Sequence, residues 1–142
     1  MRIFFTFAAL IVLFSFDPAW AESPIKMGDV GAYTTDPRRA MAYKNGWELA
    51  LKEINKNGGV NGKKIEVLSR DDLGKPATAL RVAEDLYNRD GVTIINGFSL
   101  ANIELALSNF AKKNGIVFVS SNFNSDKLIW DEGHDKAFSI GS

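Results

Sequence analysis

Three short stretches of this 142-residue chain hold the residue types that grip a small polar solute. Residues 31–36 read Gly31-Ala32-Tyr33-Thr34-Thr35-Asp36, residues 97–102 read Gly97-Phe98-Ser99-Leu100-Ala101-Asn102, and residues 120–124 read Ser120-Ser121-Asn122-Phe123-Asn124. Their hydroxyls and amides can donate and accept hydrogen bonds. Where such a loop enters a helix, the free backbone N–H groups favour an anion such as a carboxylate. Tyr33, Phe98 or Phe123 would pack on the apolar part of the solute. All three stretches are poor in charge. The same residues have plainer uses. Ser99 and Asn102 can cap a helix, Ser121, Asn122 and Asn124 can form turns, and Tyr33 and Phe123 can serve a core.

Other chemistry finds less support. Asp71-Asp72 could hold a divalent cation or act as acid and base. No further Asp, Glu or His spacing completes a metal cage, so loop solvation and capping of the following helix are expected. His134, the single histidine, sits in the charged run Asp131-Glu132-Gly133-His134-Asp135-Lys136 and is expected on the surface. Gly28 and Gly31 do not make the dinucleotide fingerprint, and no phosphate-loop motif occurs. The chain has no cysteine, which excludes disulfides, thiolate metal sites and a cysteine nucleophile. No catalytic constellation and no cofactor motif emerge. Lys plus Arg and Asp plus Glu are 17 each, and a zero net charge argues against nucleic acid as a partner. With 46% apolar and 24% charged residues, the composition is that of a globular protein rather than a disordered one.

The elements that must position those stretches follow from periodicity. Arg2 precedes an apolar run over residues 3–16 that Asp17-Pro18 ends, short of the roughly 20 residues of a membrane span. Ala19-Trp20-Ala21 fits small-x-small cleavage, so residues 1–21 are expected to be a signal peptide cut after Ala21. A cysteine-free exported chain suits the periplasm. Beyond it, strands are expected over residues 25–30, 64–69, 92–95, 116–119 and 137–140. Helices are expected over about 38–56, from Pro76 to before Gly91, over 102–113, and as one turn near 125–130. This alternation predicts an α/β fold: a parallel sheet with helices on both faces. Ligands bind such sheets at the carboxyl ends of the strands, where all three stretches fall. The last strand has no helix after it. Either a partner covers it or the chain is a fragment.

Lys44-Asn45-Gly46-Trp47-Glu48-Leu49-Ala50-Leu51-Lys52-Glu53-Ile54-Asn55, then Gly58-Gly59-Val60-Asn61-Gly62-Lys63-Lys64-Ile65-Glu66-Val67 and Arg70-Asp71-Asp72, carry a resemblance. They resemble the start of type I periplasmic substrate-binding proteins of branched-chain amino acid ABC transporters, the leucine-binding-protein type. The likeness covers about residues 25–142. It implies two α/β lobes joined by a hinge and closing over a ligand, with delivery to a membrane permease. It implies no enzyme activity and no cofactor. By position, ligand contacts would come from Phe98, Ser99, Leu100, Ala101 and Asn102, and from Ser121, Asn122 and Phe123, with Tyr33 in the first loop. The family's second loop usually reads Ser-Pro-Ala-x-Thr, and its first has Ser/Thr-Gly-Pro where Tyr33-Thr34-Thr35-Asp36-Pro37 stands here. An aromatic or aliphatic carboxylate therefore stands beside an amino acid as the implied ligand. The resemblance places residues 22–142 as a truncated first lobe. Two alternatives remain open: a small doubly wound enzyme domain using Asp71 and Asp72, or a non-functional remnant.

Overall fold

In the computed structural model, which describes residues 23–122, 126–128 and 130–140, strands and helices alternate along the chain. They are β1 (Ile25–Gly31), α1 (Pro37–Lys56), β2 (Ile65–Asp71), α2 (Pro76–Asn88), β3 (Ile94–Phe98), α3 (Ala101–Asn114), β4 (Val117–Ser120), a 3-10 turn (Asp126–Leu128) and β5 (Ala137–Ser139). Among the described residues the strands form one sheet in the order β2-β1-β3-β4-β5. All pairings are parallel. The expected signal peptide, residues 1–21, lies outside the described residues.

The order dictates the layers. Parallel crossovers are right-handed. The step from β1 to β2 and the steps from β2 to β3 and β3 to β4 run in opposite directions across the sheet. So α1 lies on one face and α2 and α3 on the other, the two-faced arrangement that the alternation predicts. The α2–α3 side holds the core. Val30, Leu86, Ile95, Ile103, Leu107 and Phe118 are all 0% exposed. Gly28 lets α2 approach, because a Cβ there would stand 2.9 Å from Leu86 Cδ1. The α1 side is shallower. Ala40 is the buried residue of this helix. Trp47, Leu51 and Ile54 instead share an apolar cavity of about 170 Å³ with Met27, Ile65 and Val67 of the sheet. Phe138 of β5 is 53% exposed.

Three local expectations need correction. The third strand starts at Ile94 rather than at Val92 and runs to Phe98, because Gly97 and Phe98 continue the ladder opposite Val30 and Gly31. The loop after it shrinks to Ser99-Leu100, and Ala101 and Asn102 open α3. Neither helix on this side is capped as expected. The residues at the N-caps are Lys75 for α2 and Leu100 for α3, without side-chain caps. Asp71 and Asp72 instead close the turn after β2, accepting from Leu73 N at 2.9 Å and Gly74 N at 2.6 Å. Finally, His134 is not on the surface: its side chain is only 5% exposed. The segment folds back on α3, where Nε2 lies 3.2 Å from the Ser108 carbonyl and Nδ1 accepts the Lys136 N–H at 3.3 Å.

Two glycines should respond with opposite sign to alanine. Gly46, inside α1, has nothing within 4 Å of a Cβ, so Gly46→Ala should stabilise by about 1 kcal/mol. Gly59 has φ +79, and a Cβ would fall 1.9 Å from the Lys63 carbonyl oxygen. Gly59→Ala should cost on the order of 2 kcal/mol or more. Urea denaturation of both variants checks the pair.

Candidate ligand-binding site

At the carboxyl end of the sheet the chain leaves β1 toward one face and β3 toward the other. The two exits part between neighbouring strands, and a crevice opens there. It is a groove of about 440 Å³, floored by Phe98 and Ser99 and walled by Arg39, Lys75, Leu100 and Asn122. Phe98, the last residue of β3, stacks on Tyr43 of α1 with centroids 4.4 Å apart and planes 9° from parallel. The Arg39 guanidinium stands 5.7 Å from the Phe98 ring centre. Arg39 donates to Asn122 Oδ1 at 2.7 Å and pairs with Asp36 at 3.3 Å. Asn122 Nδ2 in turn donates to the Ser99 carbonyl at 3.2 Å. One chain of contacts thus joins the first turn of α1, the loop after β4 and the loop after β3.

Buried polar groups support the groove from both sides of the sheet. On the α1 side Asp29 is 1% exposed and accepts the hydroxyls of Tyr33 and, at 2.8 Å, Tyr43. Asn96, paired with Asp29 in register, donates to the Tyr43 oxygen and accepts the Ser121 hydroxyl at 2.7 Å. Burial raises the Asp29 carboxyl above its usual range, opposed by the two phenols. The phenols themselves are raised by burial and by Asp29. On the α3 side Glu104 is 0% exposed. It accepts the Ser99 N–H at 2.9 Å and the Ser120 hydroxyl. Burial pushes its carboxyl up to about 7 against those two hydrogen bonds, with help from Asp72. The hydroxyl of Ser99 and one oxygen of Asp72 are buried without a hydrogen-bond partner among the described residues.

The structure sorts the sequence-derived candidates. Phe98, Ser99, Leu100 and Asn122 meet in the groove. Tyr33 folds back over Gly31 toward Asp29, and Ser121 points to Asn96, so both act below the rim. Ala101 and Asn102 are exposed in the first turn of α3, beside Leu100. Phe123 lies outside the described residues. The rim is not poor in charge, as the loops alone suggest, because α1 and the turn before α2 bring Arg39 and Lys75 to it. Among the described residues no three His, Cys, Asp or Glu side chains gather to hold a metal. What the groove offers a solute is a guanidinium, an ammonium, an aromatic floor, an amide and a buried serine. That set suits a small carboxylate with an apolar portion.

A crevice at the switch point of a parallel sheet is where open α/β folds take up small ligands. The model of the periplasmic binding protein family matches residues 24–142, and the chain belongs to that family. It is 30% identical over 122 residues to Leu/Ile/Val-binding protein homolog 1 of Brucella abortus, covering 84% of this chain and 32% of that protein. It is similar to the branched-chain amino acid transporter substrate-binding protein LivJ of Streptococcus pneumoniae, solved with isoleucine. That likeness has a TM-score of 0.74 and 29% identity, over 82% of this chain and 33% of that one. A solute-binding protein of Rhodopseudomonas palustris, solved with benzoate, shares the fold at a TM-score of 0.74 and 20% identity, covering 82% of this chain and 32% of that one. The chain spans about a third of the length of these relatives.

Glu104 gives the site a pH signature. Its folded pKa, about 7, is above the ordinary 4.5. A carboxyl raised in the folded state contributes stability that is full below the unfolded pKa and is lost as pH rises through the folded one. Thermal unfolding should therefore show stability falling between about pH 5 and 8. Glu104→Gln, which cannot ionise, should reduce that slope and leave the part contributed by the raised Asp29 carboxyl.

Proposed function

We propose that this chain forms the first-lobe half of a solute site in an exported binding protein of an ABC importer. Its role is to hold an amino acid or a related aromatic or aliphatic carboxylate and pass it to a membrane permease. It binds and releases its solute unchanged, so it is not an enzyme. The observation that carries this is the groove itself, where Arg39, Ser99 and Asn122 converge over Phe98 at the switch point of a parallel sheet. A carboxylate placed there would meet the Arg39 guanidinium, while an apolar side chain would lie toward Phe98 and Leu100. The relatives' ligands, isoleucine in one case and benzoate in another, are of that class. Export to the periplasm is supported by the apolar run over residues 3–16 and the Ala19-Trp20-Ala21 site.

Isothermal titration of the full chain with leucine, isoleucine and benzoate tests the proposal. At least one should bind, and Arg39→Ala should weaken it about tenfold, the scale of a lost charge-assisted hydrogen bond. Absence of heat with all three, together with no thermal stabilisation by any of them, would overturn the reading.

A further inference from the structure

Glu104 is a buried ionisable side chain that the solute contacts do not use. It stands in the first turn of α3, on the side facing the sheet, fully buried. Its two oxygens serve two different segments. Oε1 accepts the N–H of Ser99, in the loop after β3, at 2.9 Å. Oε2 accepts the hydroxyl of Ser120, the last residue of β4 and the one before Ser121 and Asn122. Gly97, register partner of Ser120, lies beneath: a Cβ there would crowd the Phe118 ring at 3.1 Å and touch Glu104 Cγ at 3.4 Å.

We propose that Glu104 is a positioning residue for the groove: its carboxylate clamps the loop after β3 to the end of β4 and so fixes the spacing of Ser99 and Asn122. The proposal rests on the groove being the solute site. A helix cap would need only the Ser99 N–H. The second oxygen, bound to the neighbouring strand, is what a clamp requires and a cap does not. An apolar residue of equal volume would fill the space but leave a buried N–H and a hydroxyl unpaired, a costly state. Retaining a carboxylate here is also costly. Asp72, buried at the end of β2, is the charged group that acts on it across the layer, and it repels. Gly97 of β3 and Ser120 of β4 are uncharged, and no cation among the described residues pairs with Glu104. Such a cost is sustained where both hydrogen bonds matter.

Amide NMR of the isotopically labelled full chain tests the clamp without a ligand. Between pH 5 and 9 the amide shifts of Ser99 and Asn122 should move together, with one midpoint near 7. Ser120→Ala should shift that midpoint upward, because it removes a hydrogen bond that favours the charged form. Glu104→Gln should abolish the titration yet keep the Ser99 amide protected from solvent exchange. Glu104→Ala should lose about tenfold of that protection. A Ser99 titration that leaves Asn122 still and is indifferent to Ser120→Ala would reduce Glu104 to a helix cap and overturn the proposal, as would flat wild-type curves. If Glu104→Ala fails to fold, the wild-type, Ser120→Ala and Glu104→Gln curves still decide. A calorimetric arm with leucine and benzoate should show weaker binding in Glu104→Ala, restored in Glu104→Gln. Silence of both probes with the wild type would sink the solute reading alone, leaving the clamp to be judged by its amides.

Discussion

β1 is hydrogen-bonded along both edges, to β2 on one side and β3 on the other, and the rest of the molecule follows from that position. A central strand whose sequence successor lies on one side and whose later neighbour lies on the other forces the right-handed crossovers onto opposite faces. The carboxyl ends of β1 and β3 then release the chain in divergent directions. The groove is the gap this divergence leaves. It needs no special loop to create it, which is why short, ordinary segments such as Ser99-Leu100 suffice to line it.

On each face of the sheet a buried carboxylate ties strand ends together beside the gap. Asp29 gathers two phenols and, through Tyr43, the amide of Asn96 on the α1 side. Glu104 gathers a backbone N–H and a hydroxyl on the α3 side. Both sit among apolar neighbours, where an unpaired charge would be expensive and a satisfied one is strongly directional. The two networks leave Phe98 and Asn122 presented between them. Polar groups inside this small lobe are thus concentrated where strand ends need fixed relative positions, while the interior farther down the strands is left to Leu86, Ile95 and Phe118.

Much of this architecture was legible in the order of residues. Ala79, Val82, Ala83 and Leu86 fall on one helical stripe, and all four are buried in α2. The loops at the strand ends were readable as a group, because alternating elements place them at one rim. Strand ends were less so. The β-branched run from Val92 suggests an early strand, but pairing with β1 sets the end at Phe98. Arg39 and Glu104 carried no local signal. Arg39 meets an amide 83 residues away, and a glutamate in a first helical turn reads as ordinary helix chemistry until Ser120 is seen beside it. His134 misled for a related reason: its charged sequence neighbours point outward while its own ring is turned onto α3.

The shallow seat of α1 has a thermodynamic side. This helix brings Arg39 and Tyr43 to the crevice, yet little of it is sunk in the core. Segments with small buried area detach at lower free energy than the body they rest on. With a solute in the crevice, as proposed above, contacts made through Arg39 would favour the docked helix, and the apparent dissociation constant would scale inversely with its docked fraction. Trp47 and Ile54, which seat the helix on the sheet and do not line the groove, would then bear on affinity from a distance.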